Sequence, residues 1–324
     1  MRKTSAAPGG RPCRLCRLRR RAQAPPRGRG VLVCGDVIND ILVRPLAAVT
    51  EGSDTPAQIR ACPGGSAANQ AAWTACLGGQ VSFAGRVGAR DAEYHRRELA
   101  SAGVRAHLAA DPDAGTGSIV IVVEPDGERT MITDRAANLR LRRCDIPAAL
   151  LDDAAVLHLT GYLFCEPLVQ VALSLLADAR DRGMAVTIDP GSAAFLTAMP
   201  PEQFLRWTRG AAVCFPNRDE AAVLTGEDDP AAMAARLTAV YGAVVLKLGA
   251  QGCLVAVPGE APVRIAASPA AVLDSTGAGD AFCGAFMSRW LADPADLGGA
   301  GRFAVRTAAV VITRFGARPL QAPP

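Results

Sequence analysis

Residues 274–286 read Asp274-Ser275-Thr276-Gly277-Ala278-Gly279-Asp280-Ala281-Phe282-Cys283-Gly284-Ala285-Phe286. Two glycines around one alanine let the backbone turn tightly with its N–H groups pointing into open space. The apolar stretch that follows predicts a buried helix from Ala281 onward. Backbone donors at the start of a helix form an anion site, and the sequence puts a carboxylate, Asp280, inside it. As a simple helix cap Asp280 would need no further explanation. In an anion cradle it repels a phosphate unless it has chemistry to do there, such as taking a proton from an attacking hydroxyl.

Outward from this stretch the chain alternates short β-rich runs with longer Ala/Leu-rich ones. Strands are expected at Val31–Gly35, Val81–Gly85, Ala155–Leu159, Ala185–Asp189, Ala212–Phe215 and Val244–Leu248. Helices are expected at Ser66–Leu77, Ala92–Ala102, Leu168–Arg182, Ala231–Val240, Ala281–Leu291 and Arg302–Thr313. That order predicts an α/β fold with a mostly parallel sheet covered on both faces. One part breaks the alternation: Ser118–Val123 and Arg129–Thr133 flank the turn signal Pro125-Asp126-Gly127. Residues 41–60 are irregular with some strand character. A small separate sheet is expected from these segments, about 41–60 and 112–136.

The chain has 324 residues, 50% hydrophobic and 20% charged, enough for one large domain with an accessory piece. Ten of the 35 Lys/Arg fall in residues 1–30, with no acid. The remainder carries 25 basic against 31 acidic residues, a net charge of −6, so the +4 of the whole chain is no nucleic-acid footprint. Residues 1–30 lack an apolar core for a secretory signal; a disordered basic tail or a mis-assigned start fits them, and 320–324 reads as a short C-terminal tail. No run of 18 apolar residues is free of charges and helix breakers, so no membrane span is expected. Cys13 and Cys16 form a C-x-x-C without a second pair at ligand spacing. The other eight cysteines mostly sit in apolar runs and read as buried reduced thiols of a cytoplasmic protein.

Three further segments carry candidate chemistry. Val244–Leu248 runs into Gly249-Ala250-Gln251-Gly252, a Gly-x-x-Gly turn that suits either a hairpin or close approach of a ligand to the backbone. Lys247 ends that strand. Asn217 and Glu220 have the spacing of a capping box, at the carboxyl end of a strand where parallel α/β folds bind ligands. Pro63-Gly64-Gly65 turns into a helix that carries Asn69, and Asp36, Asn39 and Asp40 follow the first strand. His95, His107 and His158 show no metal or triad spacing, and His158 reads as a core histidine. Neither G-x-G-x-x-G after the first strand nor G-x-x-x-x-G-K-[ST] occurs, which argues against a dinucleotide oxidoreductase and a Walker-type ATPase.

Taken in order, G-G-x-x-x-N (Gly64, Gly65, Asn69), N-x-x-E (Asn217, Glu220), the Gly249/Gly252 turn and the segment 274–280 resemble the ribokinase/PfkB carbohydrate kinase family. The usual signature is D-T-x-G-A-G-D; Ser275 stands where Thr is commoner. The resemblance spans about Val31 to Pro319 and implies a ribokinase-like three-layer sandwich with a small β-sheet lid. It implies transfer of the γ-phosphoryl group of ATP to a hydroxymethyl group of a sugar or sugar-like acceptor, with Asp280 as base. Backbone N–H groups of Gly277, Ala278 and Gly279 would stabilise the phosphoryl charge. It assigns Asp40, Gly64, Gly65 and Asn69 to the acceptor, and Asn217, Lys247, Gly249, Gly252 and Gly279 to ATP. Glu220 would hold Mg²⁺ through water, and Asp274, Thr276, Arg314 and Gly316 a monovalent cation such as K⁺, the last two through carbonyls.

Some positions depart from the family pattern. Arg90 and Glu93 stand where G-x-D-x-x-G has Asp and Gly, Ser66 where ribokinases often have Lys, and Val305 where many members have Asn near the adenine. These leave the acceptor open. A nucleoside kinase needs an apolar or aromatic base pocket, and residues 41–60 hold no aromatic. A 2-keto-3-deoxygluconate-type kinase needs a cation for the acceptor carboxylate, for which Arg60, Arg90 and Arg129 are available. A non-catalytic sugar-binding regulator of the same fold is disfavoured by the presence of Asp280. No nucleic-acid or membrane partner is expected, and the lid is the surface open to pairing of two copies.

Overall fold

Consecutive residues of the first strand go to opposite cores: Val31 and Val33 to one, Leu32 and Cys34 to the other. The same alternation holds for Phe83 and Ala84, and for Val245 and Leu246. It is the period-two consequence of a sheet covered on both faces. The computed structural model describes residues 30–123 and 129–319. In chain order its strands are β1 (Val31–Cys34), β2 (Ile38–Pro45), β3 (Ala57–Gly64), β4 (Val81–Gly88), β5 (Val104–Asp111), β6 (Gly117–Val123) and β7 (Arg129–Asp134). These continue as β8 (Val156–Thr160), β9 (Ala185–Asp189), β10 (Val213–Cys214), β11 (Val244–Lys247), β12 (Cys253–Ala256) and β13 (Val263–Ile265).

Nine strands form the large sheet in the order β13-β12-β11-β10-β9-β8-β1-β4-β5. It is parallel except for β12 and β13. The helices Ser66–Cys76, Ala92–Ser101, Ala278–Ala292 and Leu297–Val311 cover one face, and Val169–Asp181, Pro201–Thr208, Arg218–Thr225 and Pro230–Thr238 cover the other. From β1 the chain first runs outward to β4 and β5, then returns to place β8 on the other side of β1. That reversal opens a crevice at the carboxyl ends of the strands, where such folds bind ligands.

The expected lid is a four-stranded sheet, β3-β2-β6-β7. Residues 41–60 are more regular than their sequence suggested: β2 and β3 pair antiparallel over their full length, from Ile38↔Gly64 to Pro45↔Ala57. Their pattern is hard to read because the strands are largely half-buried or exposed rather than alternating in and out. The strands begin earlier than expected, so that Asp40 and Gly64 are themselves lid residues. The turn 125–127, the C-x-x-C and residues 1–29 and 320–324 lie outside the described residues, as does the Arg129 side chain. The strands β5, β12 and β13 were not expected. Of the eight described cysteines, all free, Cys34, Cys214, Cys253 and Cys283 are buried, but Cys76 and Cys144 are exposed, which corrects the uniform burial expected. No described helix is long and apolar enough to cross a membrane.

One of the side chains that join body and lid reaches both backbone groups of a single buried residue. Asn138, in the turn after β7, accepts from Val37 N (2.9 Å) and donates to Val37 O (2.9 Å), between β1 and β2. Both Val37 groups are buried, so losing the amide strands them without partners. Asn138→Ala is expected to lower the unfolding free energy by about 2 kcal/mol, read from the shift of the urea midpoint; an unmoved midpoint would mean the two parts are held elsewhere.

Candidate active site

Four carboxylates meet at the carboxyl ends of the strands, and the structure gives each a different employment. Asp36, just after β1, caps the Ser66–Cys76 helix, accepting from Ser66 N (3.0 Å) and Ala67 N (3.2 Å). Asn39 is also structural: it donates to Asp91 (2.8 Å), which accepts from Thr116 as well. Asp91 thus supplies a carboxylate one position after Arg90. Of the three candidates after β1, Asp40 alone faces the crevice. Its buried carboxylate rests on Gly64, where any side chain would collide with it. Among the described residues no side chain or backbone group donates to it. Burial pushes Asp40 up to about 7, with Asp280 adding and Arg318 opposing.

Asp280 is not the helix cap. Gly277, with φ 74°, is the residue before the Ala278–Ala292 helix, and a side chain there would strike Ala317. The helix therefore starts three residues earlier than expected and puts Asp280 in its first turn. Its carboxylate receives Ser66 Oγ (2.7 Å), Asn69 Nδ2 (3.0 Å) and Gln70 Nε2 (3.1 Å). Burial holds Asp280 up at about 6 while those three hydrogen bonds pull it down and Asp189 pushes it up. Asn69 is not the surface residue a mid-helix asparagine suggests: it is buried, and its Oδ1 accepts from Arg318 Nε (3.1 Å).

Behind Asp280 stands a second layer absent from the sequence reading. Gln70 Nε2 also reaches Asp189 (3.1 Å), and its Oε1 is paired with His158, whose other nitrogen meets Thr187 Oγ1 (2.8 Å). Burial pushes His158 down to about 4, so it is neutral. Burial alone would raise Asp189, but Lys247 Nζ at 3.0 Å overrides it and keeps the carboxyl ionised. Burial likewise opposes the charge on Lys247, and Asp189 outweighs it, so the ammonium is retained. The available signal was spacing: Ser66, Asn69 and Gln70 stand at i, i+3 and i+4 on one face of an alanine-rich helix. Asp189 and Arg318 carried none.

On the other side of Asp280 opens a cleft of about 530 Å³. Lys247, Gly249, Gly252 and Gly279 line it as expected, with apolar walls from Val272, Phe282, Val305, Ala308 and Ile312. The glycines make room: a Cβ on Gly252 would enter backbone, and one on Gly279 would point at Lys247 Nζ, 3.8 Å away. Asn217 is not among the lining residues. It forms the capping box with Glu220, accepting from Glu220 N (2.8 Å) while giving its own N–H and amide to the Glu220 carboxylate (2.8 and 2.7 Å). Glu220 is buried, and burial pushes it up to about 7 against the pull of Lys247. Each Glu220 oxygen thus takes one hydrogen bond from the cap and keeps a second lone pair. Asp274 ties two loops together, accepting from Thr276 N (2.8 Å) and Gly316 N (3.3 Å). Asp274, Thr276 and Gly316, three of the residues expected around a monovalent cation, are thus brought together by these bonds.

The description "pfkB family carbohydrate kinase" matches residues 29–323. Fructokinase-1 of Oryza sativa subsp. japonica is 29% identical over 324 residues, covering 90% of this chain and 95% of that protein. Among solved structures, adenosine kinase from Sinorhizobium meliloti superposes with a TM-score of 0.80 at 25% identity, over 90% of this chain and 96% of its own. A putative ribokinase II from E. coli in complex with ATP and Mg²⁺ superposes with a TM-score of 0.76 at 24% identity, over 89% and 94%. The last likeness bears on the fold: an α/β sandwich with a large, mostly parallel sheet and a smaller separate one.

Asp40 has a consequence for stability. An ordinary carboxylate titrates near 4, and the folded chain holds the Asp40 proton up to about 7. Native protein binds that proton more tightly, so stability is lost as pH rises from about 4 to about 7. Asp40→Asn removes this cost. Its unfolding free energy is expected to exceed that of the parent by more than about 1 kcal/mol near pH 8 and to match it below pH 4, in urea titrations at the two pH values. Equal stability at both would mean Asp40 is solvated.

Proposed function

Since the chain belongs to the pfkB family of carbohydrate kinases, phosphotransferases with an alcohol group as acceptor, we propose that it transfers the γ-phosphoryl group of ATP to a hydroxymethyl group of a sugar or sugar-like acceptor. Residues 31–319 form the kinase domain, and the β3-β2-β6-β7 sheet is its lid. One observation carries the reading: Asp280 directly follows Gly279, which lines the apolar cleft with Lys247, and on its other side accepts from Asn69 and lies close enough to Asp40 to raise its pKa. A carboxylate there reaches an acceptor hydroxyl from one side and the end of a nucleotide from the other.

The chemistry follows from the charges. Asp280, with a pKa near 6, is ionised at neutral pH yet basic enough to accept a proton as the acceptor oxygen attacks. Asp40, whose carboxylate has no donor among the described residues, accepts from acceptor hydroxyls, and Asn69 holds Asp280 in place. The N–H groups at the start of the Ala278–Ala292 helix stabilise charge on the transferred phosphoryl group, and Lys247 adds its ammonium beside Gly279. ATP fits the cleft through its apolar walls and the bare backbone at Gly249 and Gly252. Mg²⁺ bound to the phosphates supplies further charge neutralisation. A monovalent cation between the Asp274–Thr276 and Arg314–Gly316 loops, and pairing of two copies through the lid, belong to the same proposal. A nucleoside acceptor is the second reading. It is favoured by the likeness to adenosine kinase and by Tyr162 and Phe195, stacked edge to face at 5.0 Å beneath Arg135.

The purified chain is expected to release ADP with at least one member of a panel of pentoses, hexoses, keto acids and nucleosides, and the winner decides between the readings. With that acceptor, Asp280→Asn should lower kcat by about 10²–10⁴-fold while ATP still binds in calorimetry. Near-parental turnover would remove Asp280 from the role of base. Glu220→Gln should raise the Mg²⁺ concentration that gives half-maximal rate; an unchanged titration would leave Glu220 as a helix cap only.

A further inference from the structure

The acceptor pocket is completed by a residue 249 positions from Asn69. Arg318 follows the Leu297–Val311 helix, in a segment that docks onto the Ser66–Cys76 helix. Trp73 Nε1 donates to Ala317 O (2.8 Å), and Ala317 packs on Gly277. From this strap Arg318 sends Nε to Asn69 Oδ1 (3.1 Å) and Nη2 to Gly64 O (2.8 Å). Asn69 and Gly64 are the residues against which Asp280 and Asp40 are held.

The orientation of the Asn69 amide is dictated by chemistry. An ionised carboxylate only accepts and a guanidinium only donates. Squeezed between Asp280 and Arg318, the amide must turn its NH₂ to the carboxylate and its oxygen to the guanidinium. Without Arg318, Asn69 Oδ1 loses its donor, and only the hydrogen bond to Asp280 is left to hold the amide in place. The second donation fixes the Gly64 carbonyl, and with it the backbone on which the Asp40 carboxylate rests. The guanidinium also opposes the acid crowding felt at Asp40.

We propose that Arg318 is a positioning residue for phosphoryl transfer, orienting the Asn69 amide toward Asp280 and fixing Gly64 beneath Asp40. The proposal rests on the reading of Asp280 as base. Arg318 touches neither nucleotide nor acceptor in this role; it acts through Asn69 and Gly64. That route separates it from a residue needed only for folding, because the part of its effect that runs through Asn69 must disappear when Asn69 is already gone, leaving only the part that runs through Gly64.

The test is a cycle of full-length variants: Arg318→Gln, Asn69→Ala, the double variant and, as a separate control, Asp280→Asn. Each is assayed with acceptor and ATP varied independently, and each is melted. Arg318→Gln is expected to lower kcat about 10-fold, the scale of one lost hydrogen bond to a charged group, with KM for ATP within about twofold of the parent. In the Asn69→Ala background, where only the Gly64 contact is left to lose, the same change is expected to lower kcat by clearly less, about threefold, because coupled residues are not additive. Arg318→Lys keeps the charge and the stem but not the fork, and is expected to recover part of kcat. It also serves should Arg318→Gln not fold. Equal losses with and without Asn69, or a fall in melting temperature with kcat and KM unmoved, would overturn the proposal. A near-parental Asp280→Asn would instead sink the reading beneath it.

Discussion

Like charges crowd this crevice, and the rest of the site depends on how that crowding is relieved. Asp36, Asp40, Asp189 and Asp280 gather near the carboxyl ends of the central strands, and for Asp40, Asp189 and Asp280 burial disfavours ionisation. Each is settled differently. Asp36 is spent on two helix N–H groups, and Asp189 is neutralised by Lys247. Asp280 is held by three neutral donors, which stabilise it without supplying a proton or a full charge. Asp40 has no donor among the described residues. Asp40 and Asp280 are both held above the ordinary carboxylate range.

Empty space is the second ingredient. The absence of a side chain at Gly64 admits the Asp40 carboxylate, at Gly277 it admits the C-terminal strap, and at Gly279 it leaves a gap beside Lys247. A glycine-rich signature thus marks places where other parts of the chain, or a ligand, occupy the volume of a missing Cβ. Gly277 alone among these three also needs its left-handed backbone to begin the helix.

The architecture was legible because it is written in period and order. Buried strands of the central sheet show as short apolar runs, and helices as longer ones between them. The edge strands β5 and β13 and the lid strands were harder, since an edge or half-exposed strand needs no continuous apolar run. In the site, Asp280, Lys247 and the glycines announced themselves through local motif. The choice among Asp36, Asn39 and Asp40 could not be made in sequence, because it turns on partners 30 and 52 residues away. Arg318 and Asp189 were invisible for the same reason: neither belongs to a local pattern, and their meaning lies wholly in what folding brings beside them.

Gln70 sits between Asp280 and His158 as an amide, and an amide bonds on both sides without passing a proton along. Its NH₂ serves Asp280 and Asp189 while its oxygen is engaged by the imidazole, so the buried histidine is insulated from the carboxylate only one residue away. On the proposed chemistry, a proton taken up by Asp280 has no inward relay. On the same proposed chemistry the proton leaves on the side from which the acceptor arrives, to bulk water.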